Sequence, residues 1–402
     1  MSFNSIIGQK AVKEQLVHMV QHNRLSHALL FLGKEGSGAL QLAMAFAQYI
    51  TCRPTTNNQP TGPSLFGELE PAITSNIVHL TSNNDSCGTC PSCKKAQELV
   101  HPDIHFSYPV IPRKSGDKPI ATDYITEWRE FVKQSPYGNV YDWLQFINAE
   151  NKQGNITAHE CNDILRKLSL KSFESEYKIL IMWMPEYLGK EGNKLLKLIE
   201  EPPANTLFIL VAENEDQILP TILSRTQLVK VPALSKLDIE SALELRANVP
   251  PTKAQQIAAV AEGNYREALQ MLQHSEDDWQ AMLREWLNAV VKFNPQAQVK
   301  WIDETAKIGR EKQKQFLQYF THLLELAVRI STTNDQPPPS NEVDFALRLN
   351  KITQLHQQEA IINELNKASY YIERNANAKM LFHALSIKLY HIISNNSLIL
   401  VN

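Results

Sequence analysis

Two hydrophobic patterns mark the start of the chain. Apolar residues recur at helical spacing over residues 5–23, and a short apolar run follows at 27–32. A glycine-rich turn and a stretch of helix formers at 39–50 come next. This order predicts a helix, a buried strand, a tight loop and a second helix. A strand that leads through a glycine loop into a helix is the layout of a phosphate-binding loop.

Two further apolar runs, at 179–184 and 207–212, are candidates for buried strands. Helical spacing precedes them at 157–170. Between them a helix over 192–201 is predicted to stop at two consecutive prolines. Strands that alternate with helices imply a parallel sheet. We therefore predict an α/β domain in which helices flank a parallel sheet.

The second half of the chain shows helical spacing alone. Strand signals stop after residue 232, and helical patterns cover 235–274, 276–330 and 341–394. This half is therefore predicted to be all-α.

Two segments of the first half fit neither pattern. Residues 53–86 are polar and contain several Asn, Gly and Pro residues, which predicts an irregular insertion. Residues 105–150 carry many aromatic residues without a clear period. We interpret these rings as the packing of a surface subdomain, and a base-stacking surface is disfavoured because Arg and Lys are not enriched among them.

Length and charge narrow the class of protein. At about 150 residues per domain, 402 residues predict two or three domains, and 43% hydrophobic with 21% charged residues is typical of globular chains. The net charge of -3 argues against an extensive basic surface for nucleic-acid binding, so any DNA contact is local or made through partners. No apolar run approaches the ~20 residues of a membrane span, and no secretory leader is recognisable. We expect a cytoplasmic protein without a membrane partner.

Three of the five cysteines follow a Cys-x-x-Cys-x-x-Cys pattern, formed by Cys87, Cys90 and Cys93. This spacing favours tetrahedral Zn²⁺ over free buried thiols, and no thioredoxin-like pattern supports a redox role. The candidates for the fourth ligand are Cys52, His79, His101 and Cys161. Four thiolates would leave no open position for water, so the site is predicted to be structural. A zinc-dependent enzyme centred on these cysteines is the alternative hypothesis.

The glycine loop lacks the chemical groups of a working phosphate loop. Its glycines are Gly33, Gly36 and Gly38, but Ala39 and Leu40 stand where a lysine for the phosphates and a hydroxyl for magnesium belong. The glycine backbone alone is predicted to bind nucleotide weakly or not at all. A tight turn in an unrelated α/β domain is the alternative interpretation.

A second element of nucleotide hydrolysis is also absent. The apolar strand at 179–182 should lead to an aspartate that helps hold magnesium, but it leads to Trp183, and Glu186 comes three residues late. The glycine loop and this strand both lack the residues that nucleotide hydrolysis requires. This suggests a nucleotide-binding fold that is retained without catalytic activity.

Three stretches of the chain closely resemble the clamp-loader family of AAA+ proteins, which implies an α/β AAA+ fold. They are residues 193–203, the strand at 207–211 and the run at 219–225. The chain lacks the lysine and the carboxylate and carries a cysteine cluster. In these features it resembles the non-hydrolysing subunits of the bacterial DNA polymerase III clamp loader. The implied domains are an α/β AAA+ domain at 1–233 with a zinc-binding insertion near 52–93, a helical lid domain at 234–276, and a C-terminal helical oligomerisation (collar) domain at 277–402.

The resemblance implies an arginine finger, an arginine that reaches across a subunit boundary into a neighbour's ATP site. The family's Ser-Arg-Cys motif is Ser224-Arg225-Thr226 here, so the arginine is kept and Thr replaces Cys. Such a role needs a planar, permanently charged group aimed at developing phosphate charge. Taken alone, an arginine after a serine is more often a surface cation.

Two further family positions depart from an active ATPase. The second sensor arginine corresponds to Arg266, and without a competent phosphate loop its expected role is structural. Ala212 and Glu213 stand where hydrolysing relatives carry a threonine as first sensor. His101-Pro102-Asp103 also resembles a family segment. It is predicted to form a turn before a strand rather than a catalytic pair, because no nucleophile stands at a known spacing.

The resemblance also implies Cys52 as the fourth zinc ligand, and a set of partners. These are the ATP-hydrolysing tau/gamma subunits, the delta subunit and the sliding clamp in a hetero-oligomer, with primed DNA reached through the assembled complex. The implied function is to help load the clamp during replication while Arg225 serves a neighbouring ATPase. An active clamp-loader ATPase of tau/gamma type is the alternative.

Overall fold

Five parallel strands form the sheet of this computed structural model. They pair in the order β2-β3-β4-β1-β5. Their bounds are β1 Ala28–Gly33, β2 Ile104–Ser107, β3 Lys178–Trp183, β4 Thr206–Ala212 and β5 Gln227–Val231. Every residue of β3 and β4 is buried, as expected of central strands covered on both faces. The predicted parallel sheet and its three apolar strands are confirmed.

The structure describes residues 1–53, 84–114, 116–149, 152–273, 279–332, 341–373 and 376–395. Most of the predicted insertion, residues 54–83, therefore lies outside the described residues. The chain divides into two compact units, Met1–Gln273 and His274–Asn402. The finer boundaries at 233/234 and 276/277 stay predictions.

Eleven α-helices accompany the sheet in the described residues of the first unit, and the last three form a separate core of their own. They are α1 Lys10–Gln21, α2 Ala39–Thr51, α3 Pro91–Gln97, α4 Ile125–Gln134, α5 Val140–Phe146, α6 Ala158–Ser169, α7 Leu196–Glu200, α8 Pro220–Leu223, α9 Lys236–Ala247, α10 Pro251–Val260 and α11 Tyr265–Gln273. All residues of α2 are buried, including the polar Gln41, Gln48 and Thr51, and the other positions are almost all apolar, as expected of a helix covered on every face.

One predicted helix is shorter than its sequence pattern suggested. Residues 192–201 were expected to be helical throughout, but the α-helix covers only Leu196–Glu200 and a 3₁₀ segment, Pro185–Leu195, precedes it. Gly189 interrupts that segment with a φ of 50°. A glycine carries no Cβ to oppose this conformation, so the chain kinks there, before the predicted helix begins. The 3₁₀ geometry of 192–195 is what shortens the α-helix.

The aromatic residues of 105–150 pack in the core. Trp128 and Trp143 are fully buried, and their rings meet edge-to-face at 5.4 Å. Tyr108 stacks on Trp128 at 4.0 Å. The interpretation as packing residues is confirmed for these three rings, because a base cannot stack on a buried ring.

The second unit is helical throughout its described residues. Its helices are α12 Trp279–Val291, α13 Pro295–Thr305, α14 Arg310–Thr332, α15 Asn341–Ile352, α16 Leu355–Glu373 and α17 Ala378–Asn395. Its core contains Trp286 and Trp301, stacked at 4.7 Å with Phe382 at the edge of both. The predicted all-α half is confirmed. Among the described residues no helix has both the length and the apolar character that a bilayer crossing needs.

Candidate functional site

The glycine loop joins β1 to α2, where the sequence predicted it. Gly36 and Gly38 have backbone φ values of 71° and 86°, which residues other than glycine rarely adopt. A Cβ on Gly36 would lie 1.9 Å from Oδ1 of Asn264, so the residues that lead into α11 press directly on the loop. The backbone N–H of Tyr265 donates to the carbonyl of Gly36 at 3.3 Å.

Arg266 binds two carboxylates beside this loop. Its Nε and Nη2 donate to the two oxygens of Asp142 at 2.5 and 2.6 Å, and its Nη1 donates to Oε1 of Glu35 at 2.8 Å. The guanidinium side chain is only 6% exposed. Paired hydrogen bonds between a guanidinium and a carboxylate are among the strongest in proteins. Glu35 belongs to the glycine loop itself, so the ion pairs fasten α11 to the loop and to α5.

Neighbouring side chains hold both carboxylates in place. The amide of Asn139 donates to the other oxygen of Glu35 at 3.1 Å. Asn139 is also the N-cap of α5, and it exchanges hydrogen bonds with Asp142 across the first turn of that helix. The three charged groups therefore form a fixed network rather than a mobile surface pair.

The crevice between the loop and the sheet has a volume of about 30 Å³. It is lined by residues 33–41, Tyr137, Gly138, Trp183, Met184 and 211–213. A volume of this size holds roughly one or two water molecules. Trp183, 4% exposed, is one of the lining residues, and its indole packs against Trp128 and Phe131 at 5.2 and 6.2 Å.

Glu186 does not replace the missing aspartate. Its Oε1 accepts hydrogen bonds from the backbone N–H groups of Glu213 and Asn214, at 2.7 and 2.9 Å. Burial raises the pKa of Glu186 although these hydrogen bonds oppose the shift. This side chain supports the turn that follows β4, and it is not among the residues that line the crevice.

Arg225 lies just beyond α8, on the turn that leads into β5. Its Nη1 donates to the carbonyl of Thr221 at 2.8 Å and to Oγ of Ser224 at 3.2 Å. Its Nε and Nη2 both contact Oε1 of Glu200, the last residue of α7. The arginine side chain is 33% exposed, so solvent reaches part of the guanidinium.

The structure brings the four predicted cysteine ligands together. The sulfur atoms of Cys52, Cys87, Cys90 and Cys93 all lie within 4.8 Å of one another, and those of Cys87 and Cys93 are 3.9 Å apart. Four sulfurs at 2.3 Å from a tetrahedral Zn²⁺ are separated by about 3.8 Å. These cysteines therefore fit a metal ion of this size, and they can bind one.

Backbone hydrogen bonds support the cluster. N–H groups donate to sulfur from Cys87 to Cys52, from Cys90 to Cys87 and from Cys93 to Cys90, at 3.3 to 3.4 Å. Burial opposes ionisation of Cys87, but the N–H groups of Cys90 and Thr89 outweigh it and lower the pKa of Cys87 to about 6. A thiolate near neutral pH is the form that a metal binds.

Sequence comparison assigns this chain to a known protein family. Residues 8–65 and 71–235 match the model of the family described as DNA polymerase III, delta subunit. The chain belongs to this family. The match covers the sheet, the glycine loop and the turn that carries Arg225.

The chain spans only part of the length of the curated relatives that it matches. The chain is 26% identical to DNA polymerase III subunit delta′ of Bacillus subtilis over 269 residues, which are 67% of this chain and 60% of that protein. It is 22% identical to subunit tau of the same organism over 67% of this chain and 37% of that protein. A solved gamma-subunit-related protein from Thermotoga maritima has 12% identity and a TM-score of 0.38, covering 94% of this chain and 98% of its own.

Two other candidates for the fourth metal ligand, His101 and Cys161, are not part of the cysteine cluster. His101 contacts Ser92 and Glu174, and Cys161 packs in the core with its sulfur 3.7 Å from the carbonyl of Glu191. His79 lies outside the described residues. Only Cys52, at the end of α2, joins the other three among the described candidates.

The His101-Pro102-Asp103 segment is a structural turn before β2, as predicted. The carboxylate of Asp103 accepts three backbone N–H groups, those of residues 173–175, at 2.5 to 2.8 Å. Nδ1 of His101 accepts the N–H of Asp103, so the neutral ring carries its proton on Nε2, which faces Ser92 at 3.0 Å. That nitrogen cannot take a proton from the serine, and the geometry does not form a catalytic pair.

Three partners of Arg266 and Arg225 were not predicted from the sequence. Glu35 and Asp142 bind Arg266, and Glu200 binds Arg225. Glu35 alone gave a signal, since it is an acidic residue inside a loop built for anions. The other two are ordinary surface-type residues in the sequence, and only the fold places them beside an arginine.

Proposed function

We propose that this chain is a non-catalytic subunit of a DNA polymerase III clamp loader, of delta′ type, which helps to load the sliding clamp onto primed DNA. The observation that carries the proposal is the ion-pair network of Arg266 with Glu35 and Asp142. Arg266, beside the loop, is paired with two carboxylates of its own chain, where in our proposal no nucleotide is needed as its partner. The chain therefore needs no nucleotide to hold its helical lid on the sheet.

Three features together argue that ATP is not hydrolysed here. The loop offers neither a lysine nor a hydroxyl at residues 39 and 40. The carboxylate of Glu35 would repel a phosphate group at close range. The crevice of about 30 Å³ is far smaller than the hundreds of Å³ typical of ligand sites. The alternative of an active tau/gamma-type ATPase has no support among these residues.

In this proposal Arg225 acts in trans on a neighbouring ATPase subunit, and Ser224 helps to hold it. A guanidinium is planar and permanently charged, so it can stabilise the charge that develops on a transferring phosphate. Its position on a short turn, partly open to solvent, supports contact with another subunit. Arginine fingers are worth about 10³-fold or more in rate.

The cysteine cluster is proposed to hold a structural Zn²⁺. Cys52, Cys87, Cys90 and Cys93 would supply all four ligands, and the ion would tie the end of α2 to the start of α3. When bound, the ion supplies a fixed cross-link and no open position for water. The proposal therefore excludes a zinc-dependent enzyme.

The proposed partners are the tau/gamma ATPase subunits, the delta subunit and the sliding clamp, in a cytoplasmic hetero-oligomer. DNA is reached through the assembled complex, in keeping with the net charge of -3. Residues 277–402 are proposed to form the collar that holds the subunits together, and 234–276 the lid.

Two measurements on purified components test the proposal. The chain alone should neither hydrolyse ATP nor bind a fluorescent ATP analogue at concentrations that saturate a tau/gamma subunit. Omitting the chain from a loader reconstituted with subunits of the same organism should abolish clamp loading on primed DNA. Hydrolysis by the chain alone, or full loading without it, would contradict the proposal.

A further inference from the structure

The guanidinium of Arg225 is bound on two sides within its own chain. One side, Nη1, contacts the carbonyl of Thr221 and the hydroxyl of Ser224. The other side, the edge formed by Nε and Nη2, faces the carboxylate of Glu200. That edge is the one with which arginine makes paired hydrogen bonds to a carboxylate or a phosphate.

One edge cannot bind two anions at the same time. If Arg225 is to present Nε and Nη2 to a phosphate, the carboxylate of Glu200 must first leave. The exchange is feasible because the pair is open to water: the side chains of Arg225 and Glu200 are 33% and 43% exposed. Exposed pairs of this kind are weak, whereas a polyphosphate offers more negative charge than a carboxylate.

The backbone keeps Glu200 in this position. It is the last residue of α7, and the helix cannot continue because Pro202 and Pro203 follow. The helix end therefore keeps the backbone of Glu200 beside the turn of Arg225, and the exposed side chain can still rotate away when a phosphate arrives.

We propose that Glu200 is a resting counter-ion that competes with the neighbour's nucleotide phosphate for Arg225. The inference rests on the proposed function of Arg225 as a finger in trans. In the free chain the arginine is paired with Glu200, and in the assembled loader the phosphate replaces that carboxylate. The exchange makes the finger's contribution depend on how tightly Glu200 competes.

The test compares rates of clamp- and DNA-stimulated ATP hydrolysis by the reconstituted loader. Glu200→Gln keeps the size of the side chain and removes its charge. The matched control is Glu201→Gln, because the adjacent Glu201 is exposed and has no recorded ion pair within the described residues. Arg225→Ala and the Arg225→Ala/Glu200→Gln double variant complete the set.

We expect Glu200→Gln to raise kcat about two- to fivefold, the range that the loss of an exposed ion pair allows. Glu201→Gln should leave kcat unchanged. The double variant should match Arg225→Ala, since Glu200 acts only through the arginine. The ratio of variant to wild-type rates should fall towards one as salt screens the pair.

The outcomes separate the two proposals. An unchanged or lower kcat in Glu200→Gln, with Arg225→Ala still slow, overturns the competition and leaves the finger intact. A wild-type rate in Arg225→Ala removes the finger itself, whatever Glu200→Gln does. A gain that persists in the double variant would show that Glu200 acts by another route, and would also overturn the inference.

Discussion

Replacing Arg266 by methionine should loosen the helices α9–α11 from the glycine loop. The substitution keeps much of the apolar stem and removes three hydrogen bonds of 2.5 to 2.8 Å to Asp142 and Glu35. Removing one partner of a buried ion pair costs about 3–5 kcal/mol, because the other charge stays behind. Both carboxylates here remain 21% exposed, and water compensates them in part. We therefore expect a loss of about 2–4 kcal/mol.

Amide hydrogen exchange is the suitable assay, because it reports the stability of each segment separately. A single unfolding transition is not assured in a chain with two compact units. Exchange in residues 236–273 and in the loop at 33–38 should accelerate about 30- to 1,000-fold, which is the expected loss converted at ~1.4 kcal/mol per factor of ten. Exchange in the second unit should not change.

Two controls decide whether the charges are responsible. Lys253→Met removes an exposed positive charge from α10, in the same group of helices, and should change exchange by less than about fivefold. Adding Glu35→Gln and Asp142→Asn to Arg266→Met removes the stranded carboxylates and should recover part of the loss. If Arg266→Met behaves like Lys253→Met, the ion pairs do not hold α9–α11 on the loop and our explanation is wrong.

Three further substitutions test the framework of the site. Asp103→Asn should cost about 2–3 kcal/mol at pH 7, because the carboxylate accepts three backbone N–H groups. Burial opposes these hydrogen bonds, but they prevail and hold the pKa of Asp103 below its usual range. The difference in the opening free energy of the first unit, measured by hydrogen exchange, should therefore persist above about pH 4 and vanish as the wild-type carboxylate is protonated at lower pH. Lys178→Met should cost about 1.5–3 kcal/mol in the same assay, because the buried ammonium donates to the carbonyls of residues 167, 170 and 171 at the end of α6. We expect metal analysis to find one zinc per wild-type chain; Cys93→Ser should lose it, and the control Cys161→Ser should retain it. Equal zinc in both variants would exclude the cluster as the site.

Local patterns predicted the central strands and the glycine loop of the site, but not α4 and α5 within the aperiodic stretch at 105–150. The apolar runs at 179–184 and 207–212 are buried strands because both faces of a parallel sheet are covered. The glycine loop was recognisable because Gly36 and Gly38 need positive φ. The helix at 192–201 was predicted too long, because the spacing of apolar residues does not distinguish the 3₁₀ turn at 192–195 from an α-helix.

The contacts that determine the chemistry depend on distant residues. Arg266 lies 231 residues from Glu35 and 124 from Asp142, and no local pattern joins them. Cys52 stands 35 residues before Cys87, so spacing left its role open and the resemblance alone singled it out. Glu200 and Arg225 meet because α7 and the turn after α8 lie side by side, which only the fold determines.

The proposal as a whole depends on what Arg225 does in the assembled loader. ATP hydrolysis by the reconstituted complex, with clamp and primed DNA present, should be compared between wild type, Arg225→Ala and Arg24→Ala, an exposed arginine elsewhere on the same unit. We predict at least a tenfold lower rate for Arg225→Ala, about 1.4 kcal/mol of transition-state stabilisation, with assembly intact and Arg24→Ala unaffected. An unchanged rate in an intact complex containing Arg225→Ala would show that this arginine is not a finger.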